Sequence, residues 1–307
     1  MKYDLIIIGG GPAGAGGAVY AARKQLKTAL ILKEWGGQSI VSDDIQNWIG
    51  TPHIKGAELA KSLKSHVMEY KGENLEVIEN SLVTNVSGSE GDFIVTTDSG
   101  QTFNSKTILI TTGSNRRKLE IPGAVDFENK GITYCASCDG PMFSQMDVIV
   151  VGGGNAGFES ASQLLAYCKS VTLLSRTEPR ADPITVNKLL ANGNFKLIKN
   201  VTPKSIQGTK FVESITYTNT DTKEDTTIPT SGIFVEIGQT PQTDFAKDLV
   251  ERNEFNQIKI DPKNNETKTS GIWAAGDCTD ALYHQNNIAI GDAVRALEDI
   301  YLHIHAK

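Results

Sequence analysis

Four cysteines among 307 residues are too few for a disulfide-built scaffold, so a hydrophobic core must hold this fold. Blocks of lysine and arginine are also missing. With 30 basic against 36 acidic residues the formal charge is −6, which argues against gripping a nucleic-acid backbone. No apolar stretch approaches the ~20 residues that span a bilayer. The first apolar run, Leu5 to Ile8, stops at Gly9-Gly10-Gly11-Pro12 and falls short of the about 7–15 residues of a signal core. These absences predict a soluble, cytoplasmic protein with no membrane and no nucleic-acid partner. At roughly 150 residues per domain, the length predicts about two domains.

Glycine is abundant, and its excess is local. Six glycines fall between Gly9 and Gly17, and four between Gly152 and Gly157. In the first window, Tyr3 to Ile8 runs into Gly9-Gly10-Gly11-Pro12-Ala13-Gly14. In the second, Asp147 to Val151 runs into Gly152-Gly153-Gly154-Asn155-Ala156-Gly157. Each β-branched run reads as a buried parallel strand and each glycine run opens a helical pattern, 13–24 and 156–167. A second strand follows each helix, at 28–32 and 170–174. One such turn fits any α/β protein. Two copies of a whole βαβ unit point to dinucleotides, with a pyrophosphate held by backbone amides at the helix start.

The rest is organised around these repeats. A helix is predicted over 58–70, and antiparallel strands over 75–95 and 205–217. Strands 107–112 and 232–237 end at Gly113 and Gly238, and Gly113-Ser114-Asn115 and Gln239-Thr240-Pro241-Gln242 read as linkers. The expected architecture is α/β, with two Rossmann-like dinucleotide-binding domains in three ββα layers. Domain boundaries are expected at 1–115 and 242–307 for the first domain, with 116–241 inserted into it.

The residue ending the second strand meets the adenosine ribose, where an acid suits a free 2′-hydroxyl and an arginine a 2′-phosphate. The first unit offers Lys33-Glu34, which suits FAD. The second offers Arg176 and Arg180, which suit NADPH, with Glu178 set between them to weaken the field. The other reading of these arginines is a solvated loop. A third segment, Gly271 to Asp277, reads as a strand delivering Asp277 to the start of a helix over 285–304, where the carboxylate can accept from ribityl hydroxyls.

Cys135-Ala136-Ser137-Cys138 spaces two sulfurs for redox or metal chemistry, and Asp139 can move a proton during thiol exchange. A zinc site would need a second such pair, which is absent. Cys168, placed on the helix after the second fingerprint, and Cys278 read as packing residues. His53, His66, His303 and His305 read as surface or packing residues, and His284 as a site candidate.

Two dinucleotide folds, Cys135-x-x-Cys138-Asp139-Gly140 and Ala275-Gly276-Asp277 together resemble the low-molecular-weight thioredoxin reductase family over essentially the whole chain. The segments 133–135, 138–141 and 232–238 are most similar to the flavoprotein component of alkyl hydroperoxide reductase. The first strand begins at Tyr3, so the N-terminal extension of those flavoproteins, with its extra cysteine pair, is expected to be absent. The resemblance implies flavin contacts at Gly9, Gly11, Gly14, Gln38, Asn47, Asp277 and Gln285. It implies a nucleotide pyrophosphate at Gly152, Gly154, Asn155 and Gly157. Pro12, Ala13, Glu34, Gly37, Gly113, Gly276, His284, Ala156, Arg176, Arg180, Ile237 and Gly238 complete the expected cofactor-binding set. Cys138 is implied to face the flavin, Cys135 to attack the partner and Asp139 to act as acid.

Three positions depart from the pattern. Ser175-Arg176-Thr177 stands where the family has His-Arg-Arg, Ser175 is not the glutamate that favours NADH, and His284 replaces an arginine before Gln285. The resulting expectation is a homodimeric reductase passing electrons from NADPH, with NADH open, through FAD and Cys135–Cys138 to thioredoxin or another thioredoxin-fold protein. By resemblance the inserted domain turns on hinges near Gly113 and Thr240. The rivals are an NADH-preferring reductase of a peroxiredoxin system and a non-catalytic flavoprotein binding nucleotide and zinc.

Overall fold

A computed structural model describes residues 2–42 and 44–306. The chain divides into two units, Met1–Asn115 with Thr240–Lys307, and Arg116–Gln239.

The first unit begins with β1 (Lys2–Gly10), α1 (Pro12–Arg23) and β2 (Thr28–Trp35). Then come α2 (Gly56–Glu69), β3 (Leu75–Ile78), β4 (Val83–Ser89), β5 (Asp92–Thr97) and β6 (Thr102–Ile110). β1 pairs in parallel with both β2 and β6, so it is central and both its faces are covered. That is why its apolar run is continuous rather than alternating. Leu5 and Ile7 face a helical layer of α1 residues such as Ala18, while Ile6 and Ile8 face Phe93 and Val95 of the β4–β5 hairpin. Burying each such side chain stabilises by about 1.5–3 kcal/mol. The segment 75–95 divides, contrary to the antiparallel expectation. Leu75–Ile78 adds in parallel beside β2, and only β4 and β5 pair antiparallel. The helix-bounded return of β3 to the sheet edge enforces that direction.

β7 (Ser114–Arg116) then leads into the second unit. Here follow β8 (Ile132–Thr133), α3 (Ala136–Asp139), β9 (Asp147–Val151), α4 (Asn155–Leu164) and β10 (Ser170–Leu174). α5 (Pro183–Leu190), β11 (Phe195–Ile198), β12 (Val201–Gly208), β13 (Val212–Asn219), β14 (Asp225–Pro229) and β15 (Gly232–Val235) complete it. Its parallel sheet has the order β11-β10-β9-β15-β8. One face packs Phe158 and Leu164 of α4, the other Ile206 and Ile215 of the β12–β14 meander. This is the three-layer ββα arrangement.

β16 (Gln239–Pro241) leads out and pairs with β7, so the two linker segments form a two-stranded ribbon. β17 (Ile272–Ala274) then adds in parallel to β6, and α6 (Asn286–Ala306) packs against α1 beneath the sheet. The parallel part of the first sheet thus reads β3-β2-β1-β6-β17; the second unit repeats it except at the edge, where the strand beside β15 is β8, the first in sequence rather than the last. No helix among the described residues is long and apolar enough to cross a membrane.

Candidate functional site

The two glycine turns have one geometry. Gly9 and Gly152 take φ of +120° and +143°, and a Cβ on them would meet the Thr111 and Glu236 carbonyl oxygens at 2.4 and 2.1 Å. Only glycine permits that turn. A Cβ on Gly14 or Gly157 would lie 1.9 or 2.0 Å from the carbonyl oxygen of Gly9 or Gly152, so helix and strand could not close. The middle glycine is different. Gly154 has nothing within 4 Å of its added Cβ, and Gly11 only the Gly37 Cα at 4.0 Å. The protein's own packing does not need glycine there. Space over the backbone at the start of α1 and α4, with no side chain capping either helix, fits a pyrophosphate approaching the amides.

On the first unit, parts distant in sequence converge on this turn. A Cβ on Gly276 would lie 3.5 Å from Ala13 Cβ and one on Gly37 3.4 Å from Gly11 Cα. Asn47 Nδ2 donates to Gln285 Oε1 at 2.9 Å, and Gln38 Nε2 donates to Asn115 Oδ1 at 2.9 Å. Glu34 is exposed at the end of β2. Gly113, φ +65°, follows the end of β6. Asp277 is half-buried, and its carboxylate makes no hydrogen bond or ion pair among the described residues. The Nε2 of His284 is buried without a hydrogen-bond partner among the described residues. An open glycine, an unbonded carboxylate and a buried ring nitrogen without a hydrogen bond are groups that fit a flavin nucleotide. Asp277 is not at the helix start, however. Residues 278–285 intervene before α6 begins at Asn286, because the strand ends in a turn at Gly276, φ +78°.

On the second unit, Ser175 and the arginines sit beside the Gly152–Gly157 turn. Ser175 is buried, donates to the Thr177 carbonyl at 2.7 Å and packs over Gly153. It is unavailable to a ribose. The Arg180 amide donates to the Gly153 carbonyl at 2.8 Å, and the Asp182 amide to Asn155 Oδ1 at 2.8 Å. Ala156 lies in the first turn of α4, Ile237 packs partly into the core and Gly238 is exposed. Arg176 and Arg180 are exposed, and neither guanidinium has a partner among the described residues. Glu178, which stands between them in sequence, pairs with neither guanidinium among the described residues. Lys199 holds both its oxygens, at 2.7 and 2.8 Å.

Cys135 and Cys138 are joined in a disulfide, with Cα atoms 5.3 Å apart. Both are half-buried at α3, where the Cys138 amide donates to Cys135 Sγ at 3.2 Å. Asp139 accepts from the Thr133 hydroxyl, and its amide donates to the Cys135 carbonyl at 3.0 Å. The disulfide occupies the sulfurs a zinc ion would need, and no group of three or more metal-ligating side chains is gathered among the described residues.

Cys168 lies past the end of α4, in the turn before β10, because the helix stops at Leu164. It is buried, and burial pushes its thiol up to about 11. Cys278 is fully buried with its thiol toward the Ile110 and Ala275 carbonyls, and burial raises it likewise to about 11. Glu236, which ends the apolar run after β15, is a carboxyl that sequence reasoning assigned no role. Burial raises its pKa, and Ser160 donates to it at 2.6 Å. Asn287, which donates to the Asn47 carbonyl at 2.7 Å, and Lys199 were also missed. Strand register is the one signal that could have found Lys199, since it aligns the residue after β11 with the residue after β10.

The family model for pyridine nucleotide-disulphide oxidoreductases matches residues 3–296. The chain is 37% identical, over 96% of its length, to an NADH dehydrogenase of Bacillus subtilis (strain 168). It is 38% identical, over the same share, to an alkyl hydroperoxide reductase protein of Escherichia coli (strain K12). It spans 57% of the length of each of these relatives. The structure is similar to that of thioredoxin reductase from Streptococcus pyogenes MGAS5005, with a TM-score of 0.92, 33% identity and coverage of 100% of this chain and 99% of that one. With two open glycine turns, a bonded cysteine pair and a family match over residues 3–296, the chain belongs to the pyridine nucleotide-disulphide oxidoreductase family.

Proposed function

We propose that the chain is a thioredoxin-disulfide reductase that draws electrons from NADPH and delivers them to the disulfide of a thioredoxin-fold protein. The observation that carries this reading is the half-exposed Cys135–Cys138 disulfide, on the same unit as a glycine turn open at Gly154. FAD, bound on the first unit, would supply the conversion of a hydride into an electron pair for a disulfide. Its holders are Gly9, Gly11 and Gly14 at the pyrophosphate, Glu34 at the ribose, and Asp277, His284 and Gln285 toward the flavin. NADPH is favoured by Arg176 and Arg180, whose guanidiniums are unpaired among the described residues beside the turn.

The chain's own chemistry is thiol exchange. Two electrons and one proton open the Cys135–Cys138 bond to a thiolate and a thiol. The Cys135 thiolate attacks one sulfur of the partner disulfide and expels the other as a thiolate. Cys138 then attacks Cys135 in the mixed disulfide, re-forming the intramolecular bond and releasing the reduced partner. In this reading Asp139, the next residue along, would take the Cys138 proton and hand it on to the leaving sulfur. A cytoplasmic homodimer belongs to the same proposal.

A second reading, an NADH-driven reductase serving a peroxide-reducing system, is favoured by the names of the two relatives above. One experiment separates them. NADPH and NADH oxidation are compared with thioredoxin alone and with peroxiredoxin plus peroxide alone. Fast turnover with NADPH and thioredoxin supports the first reading. Fast turnover with NADH and peroxiredoxin without a carrier replaces it with the second.

A further inference from the structure

Resting on the NADPH reading above, we propose that Lys199 is a specificity-determining residue that keeps Glu178 away from the 2′-phosphate of the nucleotide. The loop after β10 carries Arg176, Glu178 and Arg180 in seven residues that are pinned back to the glycine turn by the Arg180 amide and the Asp182 amide. A carboxylate between two arginines on so short a loop has two harmful options. It can pair with a guanidinium, or it can stand near the phosphate and repel it. Among the described residues Glu178 pairs with neither guanidinium. Parallel pairing of β10 with β11 aligns Leu174 with Ile198 and so brings residue 199 to the same edge of the sheet. From there Lys199 grips both Glu178 oxygens at 2.7 and 2.8 Å.

The consequence is a loop with two uncommitted positive charges and a neutralised acid. Ser175 cannot contribute, because its hydroxyl is held by the Thr177 carbonyl. The Lys199–Glu178 pair is exposed, 43% and 71% by side chain, so its effect is a few-fold bias rather than an absolute gate. It is screened by salt over about 8–10 Å. Lys199 therefore acts through Glu178. It is a positioning residue and touches no phosphate itself.

The test is a double-mutant cycle read by calorimetric binding to the intact flavoprotein, using 2′,5′-ADP and 5′-AMP as probes that differ in the 2′-phosphate. Lys199→Met is expected to weaken 2′,5′-ADP about two- to fivefold and leave 5′-AMP unchanged, with the difference shrinking at high salt. In a Glu178→Gln background the same Lys199→Met change is expected to have almost no effect on either probe. An equal loss of 2′,5′-ADP in both backgrounds would show Lys199 acting by its own charge and overturn the proposal. Equal loss of both probes, or no loss of either, would also overturn it. Failure of the NADPH reading itself looks different: the unaltered protein would bind the two probes equally.

Discussion

Adding a single methyl group at Gly154 or at Gly157 should damage two different things. In Gly154→Ala the new Cβ meets nothing within 4 Å, and the backbone there has φ −94° and ψ −178°, which alanine adopts freely. The poorer helix cap costs up to about 1 kcal/mol, and the smaller unfolded-state entropy of alanine returns about 0.4–1 kcal/mol. Stability should therefore stay nearly unchanged. In Gly157→Ala the Cβ falls 2.0 Å from the Gly152 carbonyl oxygen, a backbone atom that cannot turn aside. Overpacking of this kind costs about 1–3 kcal/mol, enough to lower a melting midpoint by several degrees. Binding should respond in the opposite order of specificity. The Gly154 methyl occupies the space that admits the pyrophosphate to the α4 amides. Losing hydrogen bonds to a charged group is worth about 1.5–3 kcal/mol, or roughly ten- to a hundredfold in KM. NADPH and NADH share that pyrophosphate, so both should lose equally. The assay pairs thermal unfolding with KM for each nucleotide in dye reduction. Unchanged KM in Gly154→Ala, or a stability loss as large as that of Gly157→Ala, would refute the assignment of the open glycine to a ligand.

Cys138→Ser should keep FAD and reduce an artificial dye at close to the unaltered rate while losing partner reduction, since hydride acceptance needs no thiol; retained thioredoxin turnover would contradict this. Arg176→Ala should raise KM for NADPH by roughly ten- to a hundredfold and spare NADH, because only one of them carries the phosphate a guanidinium can pair with. In the oxidised native protein Cys168 and Cys278 should resist alkylation at pH 8, because burial holds their thiols near 11, and both should react at once in denaturant. The same raised values give a sign for stability. Below about pH 9 the buried thiols are protonated folded and unfolded, and no stability is lost. As pH rises through 9 toward 11 the unfolded chain releases those protons first, so the folded state should weaken, which denaturant titrations at successive pH values would show.

The sequence was most readable where one residue type has one physical use. The two glycine turns could be placed to the residue because strand, turn and helix leave no alternative to glycine at Gly9, Gly14, Gly152 and Gly157. The spacing of Cys135 and Cys138 brought the two sulfurs together but left redox and metal chemistry open, and the resemblance to a family supplied the disulfide reading. What escaped was set by partners far along the chain. The direction of β3 depends on β2, 40 or more residues earlier, and no alternation pattern records it. Glu178 reads as a nuisance to its neighbouring arginines until Lys199 is brought to the same sheet edge. The two linkers carry no alternation that records their pairing with each other through β7 and β16, more than 120 residues apart. The distance from Asp277 to α6 was misjudged because the turn at Gly276 interrupts what looked like a direct strand-to-helix passage.

The central claim is that an electron pair from a pyridine nucleotide reaches Cys135 and Cys138. Anaerobic titration of the flavoprotein with NADPH, followed by rapid alkylation and mass spectrometry, measures it directly. The expected uptake is about one two-electron equivalent for the flavin and a further one for the disulfide, with both Cys135 and Cys138 alkylated at the end point. Uptake ending at the flavin, with Cys135 and Cys138 still joined, would contradict it.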